Sequence, residues 1–316
     1  MIIPVEKIHR VHALITALRL RQWIKNAAVF TGLVFSQRLF DLLSLERAAL
    51  AFIAFCLASS SIYLLNDILD REQDRQHPVK RNRPLASGVL PVSWAMTTIL
   101  FLLLACAGVT TLLYLYPVAQ SPNFLVGLGG ANFLFPLAIF TYIIMMVLYS
   151  IRLKHVVLID VFVIAGGFVI RVLAGAVVIP VSISPWLYLV TILLALFLAF
   201  NKRRQEIVLL QGQAGNHRHI LAEYSVPMLD QMIAIISAAT VVTYSLYTFE
   251  GPTGNHHLMI TIPLVLYGLF RYLYLVHQHN QGGSPEDVLL HDRHILTTVV
   301  LFVAVTLVVL YAARIA

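Results

Sequence analysis

Apolar residues run in long stretches through almost the whole chain, and polar ones are gathered into the gaps between them. Stretches long enough for a helix to cross a hydrocarbon layer of about 30 Å fall at 24–40, 47–65, 92–116, 131–150, 156–179, 185–201, 231–249, 257–277 and 295–313. This pattern predicts an all-α, polytopic membrane helix bundle with nine transmembrane helices. The first window is the weakest, because Lys25 and Asn26 interrupt its start. Ahead of it, residues 5–21 alternate Lys, His and Arg with Ile, Val and Leu, the pattern of a basic amphipathic helix lying on a membrane surface. The expected organisation is one integral membrane domain over 1–316, with 1–22 as a cytoplasmic amphipathic segment and 23–316 as the nine-helix bundle.

Composition sharpens this picture. With 59% apolar and 12% charged residues, a soluble globule is excluded. Basic residues cluster before the first window (Lys7, Arg10, Arg19, Arg21, Lys25), after the second (Arg71, Arg75, Lys80, Arg81, Arg83), after the fourth (Arg152, Lys154) and after the sixth (Lys202, Arg203, Arg204, Arg218). With nine spans these share one side, and Arg38, Arg47 and Arg314 are left on the other. The positive-inside rule then places the N-terminus in the cytoplasm and the C-terminus outside. No cleavable signal peptide is expected, since the chain opens with mixed charge and no short apolar core. The net charge of +7 is concentrated on the cytoplasmic side, where it attracts anionic headgroups and phosphorylated substrates rather than nucleic acid. Cys56 and Cys106 both fall inside apolar windows, so neither a disulfide nor a thiolate metal site is expected.

The candidate chemistry lies in the cytoplasmic loops 66–91, 149–157 and 202–229. Asp67, Asp70 and Asp74 follow the second window at i, i+3 and i+7, with Asn66 beside them. On a helix that spacing puts three carboxylates on one face. Hard oxygen donors of this kind suit Mg²⁺, which is usually held by a few carboxylates together with substrate phosphates. Lys80 and Arg83 follow closely, so the segment reads as a diphosphate site at a membrane surface; the alternative is a solvated helix end with local ion pairs. A second cluster joins Lys154 to Asp160 and Arg171, the latter two about three helical turns apart with Gly167 between them. Charges at that depth point into a bundle or a wet cavity, or form a buried structural pair. A third, Lys202, Arg203 and Glu206, is also what an ordinary basic stop would look like. A fourth is Arg21 with Lys25 and Asn26. The histidines show no repeated ligand spacing.

These residues resemble a known family. Asn66-Asp67-x-x-Asp70-x-x-x-Asp74 followed by Lys80-Arg81-x-Arg83-Pro84 is similar to the first aspartate-rich motif of the UbiA superfamily of intramembrane prenyltransferases. Arg21-Gln22-Trp23-Ile24-Lys25-Asn26, Tyr149-Ser150-x-x-Leu153-Lys154, Lys202-Arg203-Arg204-x-Glu206 and Tyr267-Gly268-x-x-Arg271-Tyr272 bring the likeness closer to its decaprenyl-phosphate phosphoribosyltransferase branch. The departure from the superfamily lies at Asp160, which stands alone among Lys154, His155 and Arg171 where a second acidic motif is usual.

The resemblance implies a Mg²⁺-dependent pentosyltransferase in a bacterial plasma membrane, its active site facing the cytoplasm. It would move 5-phosphoribose from phosphoribosyl diphosphate to a polyprenyl phosphate. In that reading Asp67, Asp70 and Asp74 hold the metal, and Lys80 and Arg83 assist. Lys25, Lys154 and Arg171 grip the lipid phosphate, and Asp160 orients a lysine or binds a ribose hydroxyl. Glu206 with Lys202 or Arg203 closes the mouth, while Asn66 and Arg21 bind substrate. Two alternatives stay open, an aromatic prenyltransferase using a polyprenyl diphosphate and an anion transporter, and a homo-oligomer is left open as well.

Overall fold

The structure, a computed structural model, describes residues 5–116, 118, 128–182, 184–209, 219–250, 256–279, 281–283 and 285–312. Among these the regular structure is entirely helical. The α-helices are α1 (Val5–Ala17), α2 (Thr31–Phe35), α3 (Leu42–Leu69), α4 (Arg71–Gln76), α5 (Val92–Leu115), α6 (Gly130–Ile151), α7 (Ile159–Val178), α8 (Pro185–Leu209), α9 (Val226–Phe249), α10 (Ile262–Gln278), α11 (Pro285–His291) and α12 (Arg293–Ala312). Among the described residues eight helices are long and apolar enough to cross a membrane: α3, α5, α6, α7, α8, α9, α10 with the 3₁₀ turn before it, and α12. They match the last eight windows read from the sequence.

The first window is built differently. Leu20–Phe30 is a 3₁₀-helix that passes into the five-residue α2, so no single long helix forms. A 3₁₀-helix rises about 2.0 Å per residue, so Leu20–Phe35 reaches about 30 Å with fewer residues than an α-helical span. It starts near Arg19, which touches Asp67 at the end of α3, and leads to Leu39, whose N–H donates to the Tyr311 hydroxyl near the end of α12. The segment therefore runs the depth of the bundle. It lies directly against α7: a Cβ at Gly175 would stand 1.9 Å from the Val29 carbonyl oxygen, and one at Gly32 3.0 Å from Ala176 Cα. Only glycine admits the approach at Gly175.

The helices divide the molecule into two ends. One carries the C-terminus of α3, the start of α7 and the last turns of α8. The other carries the start of α3 and the C-termini of α5, α7 and α9. At this second end Arg47, 1% exposed, donates Nε to Val178 O (2.6 Å) and Nη1 to Tyr116 O (2.9 Å). A buried cation there meets carbonyls that have no partner within their own helices and the negative ends of two helix dipoles. Small residues on α3, among them Ala48, Ala51, Ala54 and Ala58, are fully buried and let neighbouring helices approach closely. The amphipathic pattern of 5–21 becomes α1, which stops at Ala17. Arg19 follows in a left-handed conformation (φ 54°) that turns the chain into the bundle. Cys56 and Cys106 are buried free thiols.

Candidate active site

The aspartates form one face across a helix break. α3 ends at Leu69 and α4 begins at Arg71, yet Asp70 N–H donates to Asn66 O (2.9 Å) and Asp74 N–H to Asp70 O (2.8 Å). The helical hydrogen-bond rhythm is thus kept through the junction. Asp67 and Asp74 are nearly inaccessible, at 2% and 4% exposure. Burying carboxylates is costly unless cations and hydrogen bonds compensate, and each of the three has a cationic partner. Arg83 Nη1 lies 3.1 Å from Asp67 Oδ1 and 2.7 Å from Asp74 Oδ2, and Arg19 Nη2 lies 2.5 Å from Asp67 Oδ1. Lys154, in the 3₁₀ turn after α6, is in direct contact with Asp70, which also accepts from Asn66 Nδ2 (2.9 Å).

This arrangement bears on a metal. Among the described residues no three acidic, histidine or cysteine side chains converge on one point. Two do converge on a cation, however: the guanidinium of Arg83 is shared by Asp67 and Asp74. Carboxylate oxygens that already coordinate one positive group fit Mg²⁺, which needs only one or two protein carboxylates when substrate phosphates supply the rest.

A second group lies deeper in the bundle. Arg171, 5% exposed, donates Nε to Asn26 Oδ1 (2.7 Å), Nη1 to Gly167 O (2.8 Å) and Nη2 to the Tyr142 hydroxyl (2.8 Å). The rings of Tyr142, Phe168 and Phe55 surround its guanidinium at 4.7, 5.6 and 5.8 Å. No carboxylate pairs with it among the described residues. Asn26 is fixed in turn by donating Nδ2 to Cys56 Sγ and Ser59 Oγ, both at 3.2 Å. Next to it, Lys25 donates to Gln22 Oε1 (3.1 Å) and pairs with Glu286 of α11 (3.1 Å). Burial by itself would raise the Glu286 carboxyl, but Lys25, a backbone hydrogen bond and then Lys202 outweigh it and hold the group below its ordinary value.

The third group is closed on itself. Asp160 is fully buried, accepting from Arg203 Nε (2.5 Å) through one oxygen and from the Tyr224 hydroxyl (2.7 Å) through the other. The Tyr224 hydroxyl also accepts the Leu158 N–H (2.7 Å); burial, and then its bond to Asp160, push its phenol up. Arg203 contacts Glu206 and reaches the Tyr149 hydroxyl (3.4 Å).

Several groupings expected from the sequence are therefore redistributed. Lys154 contacts Asp70. Asp160 holds Arg203 and Tyr224. Arg171 engages Asn26 and Tyr142 and stays apart from Asp160. Arg21 is exposed, and Arg19, two residues before it, meets the aspartates instead. Lys80 is half-buried in the 3₁₀ turn Lys80–Asn82, and Lys202 is half-buried on α8. Residues 210–218, with Arg218, lie outside the described residues. Arg19, Glu286, Tyr142 and Tyr224 were not singled out from the sequence. Arg19 and Glu286 are ordinary loop charges there, and the two tyrosines lie in unremarkable surroundings.

A helical membrane bundle with acidic and basic side chains buried beside a break after α3 is a framework that an intramembrane transferase can use. Residues 27–286 match the UbiA prenyltransferase family, and the chain belongs to that family. It is 32% identical to the decaprenyl-phosphate phosphoribosyltransferase of Mycobacterium tuberculosis over 90% of this chain and 89% of that one. It is 33% identical to the enzyme of the same name from Mycolicibacterium smegmatis, over 90% of this chain and 87% of that one. Among solved structures, a UbiA homologue from Archaeoglobus fulgidus bound to GPP and Mg²⁺ shares the fold at a TM-score of 0.68 and 18% identity, covering 94% of this chain and 99% of the other.

Proposed function

We propose that this protein transfers 5-phosphoribose from 5-phospho-α-D-ribose 1-diphosphate to a polyprenyl phosphate and releases diphosphate. The observation that carries this reading is the pairing of one acidic face with a buried arginine, Arg171, that has no carboxylate partner among the described residues. The three aspartates suit a diphosphate brought with a metal, whereas Arg171 suits a lipid monophosphate, which Lys25 could join by exchanging its Glu286 partner for the phosphate. An enzyme that took a prenyl diphosphate at the second position would be served there by acids, and the acid at that position, Asp160, is already consumed by Arg203 and Tyr224.

Asp67, Asp70 and Asp74, with Asn66, would hold Mg²⁺. The chemistry the ion supplies when bound is stabilisation of the negative charge that builds on the leaving diphosphate. The remaining work falls to side chains. Arg83, Arg19 and Lys154 balance the aspartates and, with Lys80, bind phosphate oxygens as substrate arrives. The lipid phosphate is already an anionic nucleophile, so no general base is required; one of its oxygens forms the bond to ribose C1 as the bond from C1 to diphosphate breaks. Lys25 and Arg171 hold that phosphate in place, which removes much of the entropic part of the barrier. Arg203, fixed by Asp160, carries Glu206 at the mouth beside Lys202.

Purified protein supplied with phosphoribosyl diphosphate and a polyprenyl phosphate should release diphosphate and form a phosphoribosylated lipid. Release only from a polyprenyl diphosphate with an aromatic acceptor would assign the aromatic prenyltransferase reaction instead, and no release from either pair would favour anion transport. The proposal places the aspartates in the cytoplasm of a bacterial cell, in a bundle of nine passes. With Cys56 and Cys106 removed, His77→Cys should resist an impermeant thiol reagent in intact cells and react after permeabilisation. Gly254→Cys, outside the described residues, should label from outside.

A further inference from the structure

At the end of the bundle away from the aspartates lies a cavity of about 670 Å³, between α2, the turn joining α7 to α8 and the C-terminus of α9. That volume falls within the range of about 300–1,000 Å³ usual for small-ligand sites. Its character comes from Phe35, Ser36, Arg38, Trp186, Tyr247 and Glu250.

Two observations point to a ligand. Tyr247 is 1% exposed, and neither its hydroxyl nor Ser36 Oγ has a hydrogen-bond partner among the described residues. Leaving a buried hydroxyl unmatched costs about 1–3 kcal/mol, a cost that phenylalanine and alanine would avoid if packing were the only requirement. The cavity also brings together one charge of each sign without pairing them. Arg38 donates Nη1 to Ile179 O (3.1 Å), and Glu250 accepts the indole N–H of Trp186. No ion pair joins Arg38 or Glu250 to another group among the described residues.

We propose that this cavity binds the headgroup of a zwitterionic phospholipid with a primary ammonium. Arg38 and the hydroxyls of Ser36 and Tyr247 would take the phosphate, and Glu250, beside the Trp186 indole, would take the ammonium. The aromatic walls suit the level at which headgroups meet acyl chains. A purely anionic headgroup would leave Glu250 facing like charge. A choline headgroup has no N–H to donate to the carboxylate.

The test is retention of phosphatidylethanolamine, phosphatidylglycerol and phosphatidylcholine of matched acyl chains by purified full-length protein, read by native mass spectrometry. The wild type should retain phosphatidylethanolamine at least about tenfold better than the other two, roughly 1.4 kcal/mol. Glu250→Gln should collapse that preference, and Arg38→Ala should lower retention of both phosphatidylethanolamine and phosphatidylglycerol. Equal retention of the three lipids by the wild type, or a preference that survives both substitutions, would overturn the proposal. Tyr247→Phe guards against misfolded variants, since it keeps the ring. It should weaken phosphatidylethanolamine retention severalfold, whereas a more heat-stable protein with unchanged retention would mark the hydroxyl as a packing defect and end the proposal.

Discussion

The acidic face and the Arg171 pocket solve the same problem in opposite ways. Around Asp67, Asp70 and Asp74 every buried carboxylate has a basic side chain in contact, so the charge is balanced from within the protein. Arg171 is as deeply buried, but its three hydrogen bonds go to an amide, a carbonyl and a hydroxyl, and aromatic faces complete its shell. Neutral dipoles can hold a guanidinium in place without cancelling its charge. A site balanced by its own cations can exchange them for a metal and a polyanion. On the proposed function, the site left positive would receive an anion that arrives from the membrane.

Substitutions separate the two sites, and the largest effect is expected at the aspartates. Asp67→Asn and Asp74→Asn should lower the rate of diphosphate release by about a hundredfold or more, some 2.7 kcal/mol in barrier, with the bundle still folded. Activity within a factor of about three of wild type would remove the acidic face from the mechanism. Arg171→Ala should follow, raising KM for polyprenyl phosphate about tenfold while KM for phosphoribosyl diphosphate stays put; Lys154→Ala, because of its contact with Asp70, should show the reverse bias. Equal shifts for both substrates in both variants would erase the distinction between the sites.

Glu286 tests the edge of the second site. A carboxyl held below its ordinary value of about 4.5 contributes stability that is present above that value and is lost as the pH falls through the lowered one. Thermal unfolding followed from pH 6 downward should therefore show an acid-dependent loss below about pH 4.5 in the wild type that is smaller in Glu286→Gln. Identical acid profiles would show that the tie to Lys25 adds nothing. The smallest effect on catalysis belongs to Tyr224→Phe. Removing one of the two hydrogen bonds to Asp160 should cost about 1–3 kcal/mol of stability and leave KM for either substrate within a factor of about two; a selective rise in one KM would make Asp160 part of the substrate site.

The helical bundle was legible because apolar length is the strongest constraint a membrane imposes, and eight windows reappear as helices of the required length. The acidic face was equally plain, since spacing of three and four residues survives the break at Asp70. What could not be read were partners distant in the chain. Arg19 meets Asp67 across 48 positions and Lys154 meets Asp70 across 84, and local pattern carries no information over such separations. Lys154 stands in a run of bases that looks like an anion grip, and only packing shows that its partner is an acid. The first window hid its geometry for another reason: Lys25 and Asn26 mark it as unusual, but hydropathy does not distinguish a 3₁₀-helix from an α-helix.

That stretched segment sets how tolerant the chain is of insertion and deletion. In a 3₁₀-helix each residue turns the chain by about 120°, so residues three apart lie in a row. Adding or removing one residue between Arg19 and Lys25 would swing Lys25 and Asn26 by a third of a turn, away from Glu286 and Arg171. The segment has no spare turns in which to absorb the slip, because its sixteen residues already span the bundle and Gly175 seats Val29 at backbone distance. Length variation among homologous proteins should therefore collect in the connections outside Leu20–Phe35, and this segment should keep its residue count even where its side chains change.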